Sequence, residues 1–331
     1  MFERILVPLD GSRLAECVIP HAVAMGRVFD AGVTLVRVLE QGREGSSHGS
    51  TVSPMHWHLG RAEAQAYLDG WARRLVGLGL KARGVLLEGK PAETITRFAY
   101  QSDIDLTILS SHGRGGLSHW NVSSVPRKVM LSGDGSMMLI RAYRPSGAPN
   151  DLEAFSYRRL MVPVSGSRRA EAALPAVNVL AHHHAAKSIV ACVVSKPQLI
   201  NWAPPASDDT ELVSRLLERN HGEAAGYLER LPRRLSMAAE TRLLIGTDVA
   251  ESLRELIEAE NVDLVVLSAH GFSPSSQWPY DSVTESLISY GASNLLIVQD
   301  LEAQMIRPTP AYVAAREEGI PLRGLWRSDY V

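Results

Sequence analysis

One stretch concentrates the residue types that could do chemistry. Ile104-Asp-Leu-Thr-Ile-Leu-Ser-Ser-His-Gly113-Arg-Gly-Gly116 runs on to Ser123-Ser124-Val125-Pro126 and Val129. Leu106 to Leu109 is a short apolar run, the right length for a parallel strand covered on both faces. Ser110 to Gly116 then supplies small side chains and flexible backbone. Ser123 or Ser124 can cap a helix whose first turn holds Pro126. Strand, glycine-rich turn and capped helix form the local anatomy of a phosphate site. Backbone N–H groups point outward there, and the helix N-terminus carries partial positive charge.

The stretch occurs twice. Asn261-Val-Asp-Leu-Val-Val-Leu-Ser-Ala-His-Gly271 repeats Asp103-Ile-Asp-Leu-Thr-Ile-Leu-Ser-Ser-His-Gly113 nearly position for position, 158 residues further on. Arg4-Ile-Leu-Val-Pro8-Leu-Asp-Gly-Ser12 likewise matches Arg159-Leu-Met-Val-Pro163-Val-Ser-Gly-Ser167, 155 residues on. Two anchors at nearly constant offset indicate a tandem duplication of one domain.

The 331 residues suffice for two domains, each able to bury its own core. A net charge of −2 provides no basic field for nucleic acid and no attraction to a membrane surface. The two cysteines, Cys17 and Cys192, lie in apolar segments of different repeats and read as reduced core residues. Met1-Phe-Glu-Arg-Ile-Leu-Val goes straight into a strand without a cleavable leader, and there is no long apolar span. The expectation is a soluble, cytoplasmic protein.

The elements that must position the glycine turn follow in order. Strands are expected at Ile5–Leu9, Gly32–Leu39, Lys81–Leu87, Leu106–Leu109 and Met137–Ile140. Helices are expected from Ser12 to about Val28, Gly60 to Val76, Pro91 to Tyr100, and from Ser124 onward. Gln41 to Pro54 reads as an exposed polar loop. The second repeat follows suit, with strands near Leu160–Val164, Ile189–Val194, Ala239–Ile245, Leu264–Leu267 and Asn294–Val298. Its helices fall near Arg169–Ala181, Asp209–Leu231, Val249–Glu260 and Ser282–Tyr290. This alternation predicts an α/β protein of two tandem, doubly wound, five-stranded and mostly parallel sheets. The domains span residues 1–142 and 157–299, joined by a linker at 143–156. Residues 300–331 form a C-terminal arm that packs on the body or a neighbouring subunit, or else a loosely ordered tail. In such sheets ligands bind beyond the carboxyl ends of the strands, at the switch point. Asp10 and Ser110 both fall on that edge.

These residues resemble the universal stress protein family in its tandem form, over both repeats but not the arm. The resemblance implies an adenine nucleotide alpha hydrolase-like fold. ATP-binding members carry Gly-x2-Gly-x9-Gly-Ser/Thr after the fourth strand and an Asp at the end of the first. Here Val7-Pro-Leu-Asp10-Gly-Ser12 fits the first strand. The loop reads Ser110-Ser-His-Gly113, nine residues, then Ser123-Ser124, so the first and third glycines are serines. By that resemblance Asp10 would accept from ribose hydroxyls, and Pro8, Leu9, Val38 and Leu109 would frame adenine. Gly113 and the following backbone through Gly116 would approach the phosphates, with Arg114 and His112 nearby. Ser123, Ser124 and Val125 would meet phosphate oxygens at the helix start. The ligand would be ATP or another adenine nucleotide, with Mg2+ as a possible companion. Serine at 110 or 123 adds a β-carbon where backbone approaches closely, and also a hydroxyl donor.

The second repeat departs further. Its first strand ends in Ser165, and its loop reads Ser268-Ala-His-Gly271, nine residues, then Asp281-Ser282. A carboxylate where phosphate would sit disfavours a triphosphate. The first repeat is therefore expected to hold the competent site and the second a degenerate one.

Other readings stand beside these. Asp10 could merely cap the first helix, since Asp-Gly-Ser is good turn chemistry. His112 and His270 occupy equivalent loop positions, as phosphate neighbours or as histidines hydrogen-bonded to backbone. His182-His183-His184 fits a helix C-terminus better than a metal site. His48, His56 and His58 lack the carboxylate or cysteine company of a zinc site. Trp57, Trp202 and Trp278 are expected in loops, covering sheet edges. Lys128 lies a full turn beyond the start of its helix, a poor phosphate ligand. No catalytic motif is present, so any ATP hydrolysis would be slow. Three functions compete: a nucleotide-binding stress or regulatory protein, a nucleotide-independent interaction module, and an ATP-using enzyme. The two repeats are expected to pair internally through Met137–Ile140 and Asn294–Val298, as a pseudo-dimer, and a homodimer of chains is an open possibility.

Overall fold

The computed structural model describes residues 1–40, 54–116, 122–143, 152–197, 207–235, 238–271 and 279–300. They divide into two compact units, one running to Phe155 and the other from Ser156 to Asp300. The expected loop at 41–53, most of the expected linker, Trp202, Trp278 and the arm beyond Asp300 lie outside the described residues.

The first unit contains β1 (Arg4–Pro8), α1 (Ile19–Phe29), β2 (Gly32–Leu39), α2 (Pro54–Gly77), β3 (Ala82–Glu88), α3 (Pro91–Gln101), β4 (Leu106–Ser110), α4 (Ser124–Ser132) and β5 (Ser136–Ile140). Its strand order is β3-β2-β1-β4-β5, and every pairing is parallel. The chain winds outward from β1 through β2 to β3, then returns to place β4 on the other side of β1. The switch point therefore lies between β1 and β4. Ile5, Leu6 and Val7 are fully buried, as are Leu106 and Ile108, because helices cover both faces of a parallel sheet.

The second unit repeats this plan with β6 (Arg159–Pro163), α5 (Leu174–His184), β7 (Lys187–Ser195), α6 (Ser207–Leu235), β8 (Ala239–Gly246), α7 (Val249–Ala259), β9 (Leu264–Ser268), α8 (Ser282–Tyr290) and β10 (Asn294–Val298). Its order is β8-β7-β6-β9-β10, again parallel. The duplication extends to fine detail. Gly11 and Gly166 take φ of 82° and 81° at the first turn. Asp105 Oδ2 accepts the N–H groups of Glu3 and Arg4, each at 2.8 Å. Asp263 Oδ2 does the same for Arg158 and Arg159 at 2.6 and 2.8 Å. The Tyr67 hydroxyl donates to Glu16 at 2.9 Å, and Tyr227 to Glu171 at 3.1 Å.

Three expectations need correction. The first helix does not start as α-helix after Ser12. Ser12 Oγ accepts the Ala15 N–H at 3.1 Å, a 3-10 turn runs over Ala15–Val18, and α1 follows. Pro20 has no N–H to bond the carbonyl four residues back, so regular α-helix begins with Pro20 in its first turn. Pro175 has the same effect in the second unit, after a 3-10 turn at Ala170–Ala173. Second, α2 begins at Pro54 rather than near Gly60, and this places His56, Trp57 and His58 on a helix instead of a loop. Met55 and Leu59 are exposed there, so the first turns show no apolar stripe for periodicity to detect. Third, part of the expected linker packs as structure: Leu152 is buried, and the Phe155 ring meets His21 edge-on at 4.8 Å. No described helix is long and apolar enough to cross a membrane.

Candidate functional site

Where β1 and β4 diverge, the first unit opens a cavity of about 750 Å³ on the carboxyl edge of its sheet. The thirteen positions singled out from sequence all line it. Pro8, Leu9 and Asp10 come from the end of β1, Val38 from β2, and Leu109 and Ser110 from β4. His112, Gly113, Arg114 and Gly116 come from the glycine loop, and Ser123, Ser124 and Val125 from the start of α4. Several lining residues went unread, among them Val36 and Leu39 of β2, Glu40 just after it, Pro91 and Ile95 of α3, and Arg127 of α4. Pro91 and Ile95 are four apart on the first turns of a helix, and that spacing was the available signal.

Asp10 is half-buried and engaged at both oxygens. Oδ1 accepts the Ser12 N–H at 2.9 Å, and Oδ2 accepts the Arg114 N–H. Turn cap and cavity wall are thus one residue: the carboxylate closes its own turn and tethers the glycine loop of β4. Gly113 is glycine for that reason. A β-carbon there would lie 2.1 Å from Asp10 Oδ2, well inside contact distance. Gly116 adopts φ of +74° and donates to the Gly113 carbonyl at 2.9 Å, closing the loop. Farther on, the Ser123 N–H donates to the Ser111 carbonyl at 2.8 Å, and the Ser111 N–H to Ile140 at 2.8 Å. The loop is anchored at both ends to the sheet.

The serines divide by role. Ser110 Oγ lies 2.6 Å from the His112 carbonyl and 3.0 Å from that of Leu14, and touches Cys17 Sγ at 3.3 Å. Its hydroxyl is committed to the protein, which corrects the expectation that it adds a donor toward a ligand. Ser123 is the N-cap of α4, with extended φ, ψ of −71° and 168°, and makes no side-chain capping bond. Ser124 begins the helix and is exposed. Burial pushes the Cys17 thiol up to about 11, the state of an unreactive core thiol. Both cysteines are free thiols.

The two loop histidines are each held at one ring nitrogen. Each uses Nδ1 on a side chain. His112 Nδ1 lies 3.0 Å from Ser111 Oγ, which also accepts the Ala142 N–H at 3.1 Å. His270 Nδ1 lies 2.8 Å from Asp300 Oδ1, and its own N–H meets the same oxygen at 3.1 Å. Asp300 Oδ2 is 3.0 Å from Arg169 Nε. A buried carboxylate, itself paired with a partly exposed Arg169, thus stands in the second unit where the first uses a serine hydroxyl.

The second unit also moves its loop carboxylate. Ser165, at the position of Asp10, pairs with Ser167 Oγ at 3.1 Å. Asp281, at the position of Ser123, caps α8 by accepting the Thr284 N–H at 2.8 Å. A β-carbon on Gly271 would meet Asp281 Oδ2 at 2.9 Å. In one unit the carboxylate reaches the loop glycine from the strand; in the other it reaches it from the helix.

Fold and site define a tandem pair of doubly wound α/β units with a ligand-sized cavity at the switch point of the first. The universal stress protein family profile matches residues 1–141 and 156–299, and the chain belongs to that family. A universal stress protein of Methanocaldococcus jannaschii is 25% identical over 145 residues, covering 43% of this chain and 83% of that protein. The universal stress protein YxiE of Bacillus subtilis is 24% identical over 151 residues, covering 43% of this chain and all of its own. Among solved structures, a universal stress protein from Archaeoglobus fulgidus superposes with a TM-score of 0.61 at 14% identity, over 90% of this chain and 98% of its own. A functionally unknown protein from Pseudomonas aeruginosa gives 0.64 at 11% identity, over 96% and 98%. The two structural likenesses span both repeats and show the fold, whereas each sequence relative covers less than half of this chain.

Proposed function

We propose that the first unit binds ATP or a related adenine nucleotide, and that the chain acts as a cytoplasmic stress-response regulator whose state follows that ligand. One observation carries the reading: thirteen positions chosen from four separate stretches of chain line a single cavity at the switch point. The surroundings suit such a ligand. Apolar Leu9, Val36, Val38, Leu39, Ile95 and Leu109 offer walls for a base, and Asp10 offers carboxylate lone pairs to ribose hydroxyls. Open backbone at Gly115 and Gly116, where a β-carbon would meet nothing within 4 Å among the described residues, leaves room for phosphates beside the α4 N-terminus. Mg2+ would arrive on the phosphates of a polyphosphate ligand. Regulation of this kind requires binding, not turnover.

The test is mass spectrometry of small molecules released from gently purified protein, with calorimetric titration of ATP, ADP and AMP into wild type and Asp10→Ala. Adenine nucleotide at one per chain, lost in the variant, is the expected result. A second reading, a nucleotide-independent interaction module, draws on Asp10 and Ser110 being already satisfied within the protein. Absence of bound nucleotide together with flat titrations would establish that reading instead.

A further inference from the structure

We propose that Arg127 ranks adenine nucleotides by their number of phosphates, favouring ATP over ADP over AMP in the first unit's cavity; the inference rests on the nucleotide reading above. Arg127 lies four residues after Ser123, so both fall on one stripe of α4. Helical side chains lean toward the N-terminus, which carries the guanidinium back over the cap. Arg127, Ser123 and Ser124 all line the cavity. Among the described residues, the Arg127 guanidinium has no hydrogen-bond or ion-pair partner, although it is a five-donor fork suited to phosphate. The Ser123 side chain makes no capping bond, since Pro126 at the third helical position has no N–H, and the N–H groups of Ser124 and Val125 are the donors of this first turn. An exposed cation and open helix N–H groups thus meet at the α4 end of a cavity whose remaining walls combine apolar β2 and α3 residues with Asp10, Arg37, Glu40 and Arg114.

The second unit supplies an internal comparison. The aligned positions there are Asp281 and Glu285, and both stand in the first turn region of α8. A neutral residue and a cation in one unit become two carboxylates on the same stripe in the other. Asp281 also accepts the Thr284 N–H, where the first unit has Pro126 and no donor at all. The same two helix positions thereby invite polyphosphate in the first unit and repel it in the second. Adenosine contributes no charge to this contact, and each added phosphate extends negative charge toward it. Arg127 should therefore act on the difference between nucleotides and leave the common adenosine part untouched.

The experiment titrates AMP, ADP and ATP into the full chain as wild type, Arg127→Gln, Arg127→Lys and Arg127→Glu. Arg127→Gln should weaken ATP about tenfold and AMP less than about twofold, which compresses the ranking. Arg127→Lys should keep the order, and Arg127→Glu should invert it. Raised salt should weaken ATP more steeply in wild type than in Arg127→Gln. Unchanged thermal unfolding across the series confirms that the exposed substitutions leave the fold intact. Equal weakening of ATP and AMP by Arg127→Gln, or no weakening of either, overturns the proposal while leaving nucleotide binding in place. A wild-type protein that binds none of the three nucleotides removes the nucleotide reading itself, and the ranking with it.

Discussion

Asp10 and Gly113 are a matched pair, and neither residue's role shows without the other. The motif reading gave Gly113 the task of letting backbone approach a phosphate. In the fold, the space its missing β-carbon leaves is taken by Asp10 Oδ2. That pairing joins the ends of β1 and β4, more than a hundred residues apart in the chain, so local patterns could not reveal it. Gly113→Ala should destabilise the protein by about 1–3 kcal/mol through forced displacement of the carboxylate. The same change in an Asp10→Ala background should cost much less, and a double-mutant cycle read by urea denaturation measures the coupling. His21 gives a second residue-scale prediction. Burial lowers its ring from 6.5 to about 3. The folded ring stays neutral while the unfolded chain takes up a proton, so this group leaves stability undiminished above pH 6.5. Its cost grows as pH falls toward 3, with a slope of about 1.4 kcal/mol per pH unit. His21→Gln should flatten that part of the acid limb, as urea midpoints at pH 7 and pH 5 will show.

Elements were legible where burial is complete and obscured where it is partial. Strands such as β4 and β10, buried at every position, stood out as short, mainly apolar runs. The entry to α1 did not, because Ser12 and Pro20 are each good helix-start residues and only their spacing forces a 3-10 turn between them. At element scale, α2 sits on β3 through Gly84, where a β-carbon would come within 2.8 Å of Leu68 Cβ. Gly84→Val should push the helix off the sheet at a cost of about 1–3 kcal/mol, seen as a lower urea midpoint. The clasp that starts each sheet is equally testable. Asp105→Ala should leave the Arg4 N–H of β1 and the Glu3 N–H before it without their carboxylate, at about 1 kcal/mol, and Asp263→Ala should do likewise for Arg159 and Arg158.

For the whole molecule, duplication was plain from two offsets, and the divergence of the copies was half visible. Ser165 and Asp281 announced it in sequence. The opposition of Arg127 and Glu285 did not, because neither belongs to the glycine motif, and helix geometry is needed to put them beside the cap. The transposed carboxylate keeps each loop glycine supported, so the second unit is a finished fold rather than a decayed one. Titration of wild type should accordingly saturate at a single adenine nucleotide per chain. Asp10→Ala should abolish that binding without the second unit taking it over.

The Glu16 contact described with the fold has an optical consequence. Glu16 follows the Asp10–Ser12 turn closely, and its Oε1 receives both the Tyr67 hydroxyl at 2.9 Å and the Trp71 indole N–H at 3.3 Å. Arg74 lies over the same indole, 5.1 Å from its centre. An indole emits at a wavelength set by the charges and hydrogen bonds around it, so a shift of the first turn is transmitted directly to a fluorophore. Trp71 emission should therefore report displacement of the segment that carries Glu16, and the difference spectrum between wild type and Trp71→Phe isolates it.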